Sequence, residues 1–400
     1  MNTLTAFYDL PKEWEVVRLL DITHIFDGTH QTPQYTHHGV AFFSVENIAN
    51  NKPNKFISQQ DYLIATSKNK PEYNDILLTR IGAIGISKVV SWTYPFSIYV
   101  TLAVIKQSKY FNSYYLHYFI QSSFFQKELK DNSLLQAIPC EINMDKLKKC
   151  KVILPPLNEQ SAIANILSAL DRYLCALDAL ILKKEGVKKA LSFELLSQRK
   201  RLKGFNQAWQ RVKVKDFGII ITGSTPLTQI SEYWNGTISW ITPTDINDNK
   251  DIFNSERKIT QKGLNTIRMI PKNSVLVTCI ASIGKNAILR VNGACNQQIN
   301  AIIPNKDFNA DFIYYLMENN KQYLLGKAGV TATYIISKQV FEEIDFFVPK
   351  DLNEQNAIAN ILSALDNEIA SLKNKKRQFE NIKKALNHDL MSAKIRVLKK

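Results

Sequence analysis

The segment LNEQSAIANILSALD runs from Leu157 to Asp171, and LNEQNAIANILSALD runs from Leu352 to Asp366; fourteen of fifteen positions agree at an offset of 195. No other feature of the chain constrains its fold as strongly, because a long internal repeat fixes the number of structural units before any element is assigned. The same offset pairs Lys188-Lys189-Ala190-Leu191 with Lys383-Lys384-Ala385-Leu386 and Arg201 with Arg396. It also pairs Trp14 with Trp209, Val17 with Val212, Asp21 with Asp216 and Gly28 with Gly223. Gly82-Ala83-Ile84-Gly85 and Ala281-Ser282-Ile283-Gly284 each follow an apolar run, and FNSYYLHYFI from Phe111 answers FNADFIYYLM from Phe308. The chain is two half-chains, each a divergent globular part followed by a shared segment.

The shared segments read as helices with a heptad seam. Ile163, Leu167, Leu170, Leu174, Leu177 and Ile181 follow alternating steps of four and three, as do Ile358, Leu362, Leu365, Ile369 and Leu372. Phe379, Leu386 and Leu390 continue that frame. Such spacing marks a coiled coil, and each narrow stripe has the other copy as its obvious partner. Asn158 and Asn353 read as N-caps, and Glu159 and Glu354 suit the positive helix start. Pro155-Pro156 and Pro349 stop the strands before them, and Gly186 is expected to fray or kink the first helix. About 30 helical residues would span roughly 45 Å.

In the globular parts, Asp75–Thr79 and Ser274–Thr278 read as strands, and the aromatic-rich stretches Phe111–Phe125 and Phe308–Leu325 as helices. Trp14 and Trp209 read as core anchors.

Charge is distributed unevenly. The net charge is +15, yet residues 183–203 carry +6 and residues 371–400 carry +8. The rest is nearly neutral, which excludes a uniformly basic DNA-wrapping surface. The basic stretches either face DNA phosphates, dock on acidic partners or are simply solvated. No apolar run approaches a membrane span, no signal segment follows Met1-Asn2-Thr3-Leu4, and the five cysteines form no CxxC pair. A reducing cytoplasm is expected.

Motifs for catalysis are missing from the sequence: no GxxxxGK[ST] loop, no Asn/Asp-Pro-Pro-aromatic motif, and no carboxylate–lysine cluster after a strand. His37-His38 reads as polar surface, so no metal is expected. Polar, turn-rich segments are the places to look for DNA contacts. In the second globular part these hold Ser224, Thr225, Trp240, Thr242, Asp245, Arg257 and Lys258. His30, Gln31, Thr32, Glu46 and Asn47 are their counterparts in the first, and Arg80 and Lys285 follow the glycine-bearing strand ends. Arg suits guanine, Asn and Gln suit adenine, and Ser and Thr suit either base or phosphate.

The segments LPPLNEQSAIANILSALD and VPKDLNEQNAIANILSALD resemble the helix-start regions of type I restriction–modification specificity subunits. GSTP at 223–226, YWNG at 233–236 and WITPTDI at 240–246 resemble motifs of that family's target recognition domains, whereas the first domain departs from them with GTHQTP at 28–33 and AFFSVENI at 41–48. The resemblance implies an α+β chain. Two mixed α/β target recognition domains, 1–155 and 204–350, are joined by helical regions 156–203 and 351–400. The two long helices form an antiparallel coiled coil, and the internal repeat is pseudo-two-fold. It implies a non-catalytic reader of double-stranded DNA with an asymmetric, interrupted target. Two methyltransferase subunits and the translocating restriction subunits would be its partners. S-adenosylmethionine, ATP and Mg would belong to those partners. A stand-alone bipartite DNA-binding regulator and a nuclease with an unrecognised active site are the competing readings.

Overall fold

The structure is a computed structural model that describes residues 10–48, 53–247, 249–330 and 333–398. The amino-terminal residues read above for a signal segment lie outside these. The chain forms two compact units, Met1–Asp178 with Asn374–Lys400, and Ala179–Lys373. The division falls within both shared helices rather than at their ends.

Each unit is closed by an antiparallel strand pair made from the two ends of its globular part. Glu15–Arg18 pairs with Lys151–Leu154 in the first unit, and Trp209–Lys213 pairs with Asp345–Pro349 in the second. Behind each pair lies a main sheet. The first unit's runs in the order Ile25–Asp27, Leu102–Ile105, Ile76–Thr79, Ser87–Val89. The second unit's runs Gly218–Thr222, Ile299–Pro304, Ser274–Thr278, Asn286–Leu289, Asp251–Ile252. The central strands Ile76–Thr79 and Ser274–Thr278 are buried at every residue, which is why they read as unbroken apolar runs.

A smaller sheet in each unit carries the polar turns. In the first, Val40–Phe43 lies between Lys55–Ile57 and a parallel neighbour, Phe96–Ile98. In the second, Trp234–Ile241 lies between Lys258–Ile259 and a parallel neighbour, Gly293–Cys295.

The aromatic-rich stretches do not form single helices. The first breaks into Ser113–Ile120 and Ser123–Asn132, where the Ser122 hydroxyl accepts from the Phe125 amide at 3.4 Å. The second breaks into Ala310–Asn319 and Lys321–Gly326. At the first break the Ser122 cap offers the backbone an alternative to continuing the helix.

Leu157–Leu196 and Leu352–Met391 are 40-residue helices, about 60 Å at 1.5 Å per residue and longer than the sequence reading gave. The first passes through Gly186 without a break. An added Cβ there would meet nothing within 4 Å, so its neighbours impose no kink. Asn158 and Asn353 lie inside the first turn and not at the cap position, although Asn158 Oδ1 does accept from the Glu159 amide at 3.0 Å. The Pro156 carbonyl accepts from the Glu159 and Gln160 amides, and Asp351 Oδ1 accepts from the Asn353 amide at 2.8 Å.

Within each unit the two helices run antiparallel. In the first, Lys383 meets Asp171 and, seven residues earlier, Lys376 meets Asp178, seven residues later, at 2.6 Å. In the second, Lys188 pairs with Asp366, Lys184 with Glu368 at 2.8 Å and Glu185 with Lys373 at 2.7 Å. The seam residues divide by depth. Ile163 and Leu167 belong to the first unit's core with Leu390 and Met391, and Ile358 and Leu362 belong to the second's with Leu195 and Leu196. Leu177 and Ile369 are also buried, while Leu170, Leu174, Leu365 and Leu372 are half-buried. Two helices alone cannot enclose a seam. The fully buried members are those that the globular part also covers.

In the first unit the His117 imidazole lies 2.9 Å from Ser87 Oγ and 3.0 Å from the Gln121 amide nitrogen. Burial pushes its pKa down to about 4. Between the unfolded value of about 6.5 and that level, the unfolded chain binds a proton that the folded chain refuses. Stability from this group is therefore full above pH ~6.5 and falls as pH drops through the window. Thermal melting of the wild type should decline over that range more steeply than that of His117→Gln. Equal slopes would assign the acid sensitivity elsewhere.

Candidate nucleic-acid interface

The two small sheets and the turns around them are built alike, hydrogen bond by hydrogen bond. Gly28 and Gly223 sit where a backbone passes close. A Cβ would lie 2.1 Å from Ile98 O in one and 2.2 Å from Asn296 O in the other. The next residues donate to matching carbonyls, Thr29 N to Ile98 O at 3.1 Å and Ser224 N to Cys295 O at 2.8 Å.

The polar turn after the central strand is also shared. Asn47 Oδ1 accepts from the Ser44 amide at 3.0 Å and from its hydroxyl at 3.1 Å. Asp245 Oδ2 accepts from the Thr242 amide at 2.8 Å and from its hydroxyl at 2.7 Å. AFFSVENI and WITPTDI share these capping hydrogen bonds, and the first continues as the short helix Val45–Ile48 where the second remains a turn.

In the second unit most of the sequence candidates converge. Trp240 is buried, and its indole N–H donates to Ser224 O at 3.0 Å. The Trp234 indole meets it edge-on at 5.1 Å and donates to Leu227 O at 3.2 Å. The Arg257 guanidinium lies over both rings, 4.1 Å from Trp234 and 4.8 Å from Trp240. Thr225 Oγ1 donates to Gln297 Oε1 at 2.6 Å. Thr225, Arg257 and the distant Lys285 are exposed, and Ser224, Thr242, Asp245 and Lys258 are half-buried.

The first unit brings Gln31, Thr32 and Glu46 to its surface. The Thr32 hydroxyl lies 3.2 Å from Tyr99 OH, and Glu46 pairs with Lys55 at 3.4 Å. Exposed His30 lies 3.1 Å from Asp27. Lys55 also stands over the Tyr35 ring at 5.1 Å. Sequence reading missed Lys55, Tyr35 and Gln297.

Three candidates face inward instead. Asn47 is buried and donates to Asn54 at 2.6 Å. Buried Arg80 donates to Val100 O at 2.9 Å and Ile142 O at 3.3 Å. Trp240 is the floor under Arg257. A turn-rich segment shows its polarity in sequence but not which of its side chains satisfies the backbone.

A second repeated constellation holds the globular part to its helix. Glu159 is buried; it accepts from the Trp14 indole at 3.1 Å and from Arg396 at 2.7 and 2.9 Å. Glu354 accepts from the Trp209 indole at 3.3 Å and from Arg201 at 3.1 and 2.7 Å. The neighbouring Gln160 accepts from the Asn112 amide at 2.9 Å, and Gln355 accepts from the Asn309 amide at 3.0 Å. Tyr118 donates to Asp171 and Tyr315 to Asp366, at 2.7 and 2.6 Å. The repeated Lys383 and Lys188 complete these clusters from the antiparallel helix. Part of the basic charge on the helices is thus engaged within the chain.

The family model described as the type I restriction modification DNA specificity domain matches residues 11–184 and 206–381, one copy in each half-chain. The chain belongs to that family. Among relatives of this specificity protein is the type I restriction enzyme MjaIX specificity subunit of Methanocaldococcus jannaschii, 36% identical over 44% of this chain and 41% of that one. The MjaVIII specificity subunit of the same organism is 24% identical over 97% of this chain and 94% of its own length. The fold matches the crystal structure of the type I restriction-modification system S subunit from M. genitalium, with TM-score 0.63, 14% identity, and coverage of 96% and 98% of the two chains. A chain solved in work on complex assembly and conformational transition of the type I R-M system gives TM-score 0.59 at 14% identity, over 96% and 99%.

Proposed function

We propose that this specificity protein reads an interrupted, asymmetric DNA target. Each unit would read one half-site, and methyltransferase and restriction subunits would assemble on the chain. One observation carries the reading. The two small sheets share strand pairing, close-approach glycine and capped turn, yet present different side chains from equivalent places. Lys55 with Glu46 in one answers Arg257 with Thr244 in the other. A shared backbone with exchanged polar groups is what two related readers of different sequences need, since base edges are told apart by donor and acceptor pattern.

The proposal assigns no reaction to the chain itself. S-adenosylmethionine, ATP and Mg would be held by the partner subunits, in the cytoplasm. The chain sequence offers them no motif, and its relatives are named as specificity subunits.

The test is selection from a randomised duplex library by the full chain with the methyltransferase subunits that copurify with it. Two short fixed clusters of different sequence, separated by a constant unselected gap, are expected. A single cluster, two identical clusters or no enrichment would overturn the reading.

A further inference from the structure

Arg257 occupies the most specialised position of the second small sheet. It is exposed, and among the described residues its guanidinium has no ion pair and no side-chain hydrogen bond. Asp245, bound to the backbone amide of the adjacent Glu256, is already committed. Its Oδ2 holds Thr242, and its Oδ1 accepts from the Glu256 amide at 2.8 Å. The backbone beneath the arginine is pinned. Its carbonyl accepts from Ser255 Oγ at 2.6 Å and from the Trp240 amide at 3.2 Å. Its side chain lies on two edge-to-face indoles whose own N–H groups are tied to Ser224 and Leu227 carbonyls. Stacking on an aromatic face leaves the rim of a guanidinium, with its N–H donors, pointing outward in a fixed plane.

From this cradle we infer that Arg257 is a specificity-determining residue that reads a guanine in the half-site of the second unit. The inference rests on the DNA-reading function proposed above. Two N–H groups of a fixed fork match the O6 and N7 acceptors that guanine presents in the major groove. A phosphate would accept from the same fork, but the comparison between units argues against it. Register makes Lys55 the counterpart of Arg257. Lys55 pairs with Phe42 of its central strand, and Arg257 O receives the amide of Trp240, the matching residue. Tyr35 and Trp234 correspond as well, through Ile57 and Ile259. The first unit thus places a lysine, over one ring and bound to Glu46, where the second places an unpaired arginine over two. A phosphate contact is indifferent to sequence and gives no reason for the two units to differ there. A base contact gives one.

Duplex selection with the intact complex tests this, comparing wild type with Arg257→Ala and Arg257→Lys. Wild type should fix a G·C pair in one cluster. Arg257→Ala should relax that position alone, by roughly five- to hundredfold in preference, and leave the other cluster unchanged. Arg257→Lys keeps the positive charge near the rings but loses the planar fork and its stacking. It should retain overall affinity and lose most of the guanine preference, with a melting curve like that of wild type. Uniform weakening by Arg257→Ala with the motif intact would make the residue a phosphate contact and overturn the inference while sparing the function. An unchanged preference in Arg257→Lys would overturn it too. Failure of the wild type to select any sequence would remove the function, and this assignment with it.

Discussion

Arg396→Ala is expected to loosen the first unit and leave the second as it is. Glu159 keeps 3% of its side chain exposed and is held by Arg396 through both oxygens, with the Trp14 indole as its remaining partner. Without the arginine, a buried carboxylate retains one neutral donor. Breaking one side of a buried pair costs about 3–5 kcal/mol. The guanidinium is 31% exposed, so the lower end, about 3 kcal/mol, is expected. Amide hydrogen exchange would show the loss as faster exchange in Glu15–Arg18 and Lys151–Leu154, with Trp209–Lys213 and Asp345–Pro349 unmoved. Arg201→Ala should give the reverse pattern through Glu354. If both units loosened together in either variant, or neither did, the clasps would not be the local fasteners that the geometry describes.

Replacing residues 204–350 with the equivalent part of a relative is expected to change one half-site completely and leave the other untouched. The cut suits the structure. Trp209–Lys213 and Asp345–Pro349 both lie within the exchanged piece and pair with each other, so no sheet is divided. Few hydrogen bonds to the helix have to be reproduced by the incoming part. The Trp209 indole serves Glu354, the Asn309 amide serves Gln355, and the Tyr315 hydroxyl serves Asp366. Each has its twin in the first half-chain, in Trp14, Asn112 and Tyr118. A donor carrying those three residues should therefore seat correctly. The readout is methylation mapping with the partner subunits present; a shift of both half-sites would refute one unit, one half-site.

Much of this organisation was legible in the sequence because it is periodic. The 195-residue offset, the 4/3 stripes and the apolar runs around Ile76 and Val275 each report a local regularity, and each marked an element correctly. The clasps were half legible. The offset exposed the pairs Trp14/Trp209, Glu159/Glu354 and Arg201/Arg396, but not that Arg396 closes on Glu159, 237 positions away. The readers were the least legible. Between Thr29/Ser224 and Lys55/Arg257 the offset drifts from 195 to 202 through loop insertions, so equivalence there is carried by strand register and not by alignment. Asn47, Arg80 and Trp240 deceived for another reason. Their side chains serve backbone groups or packing inside the turn, and residue type alone does not disclose which way a turn faces.

The clasp between Glu159 and Arg396 also bears on how the protein is made. The first unit takes its last pieces, Leu390, Met391 and Arg396, from the end of the chain. Emerging from the ribosome, the first globular part has its strands and its helix start long before it has those residues. The second unit, wholly contained in Ala179–Lys373, has all its residues while the tail is still being translated. Contacts of such wide sequence separation form late, because the closure entropy must be met first. The half synthesised first would therefore be the last to be completed. A premature stop shortly after Lys373 would injure the beginning of the protein and spare its middle.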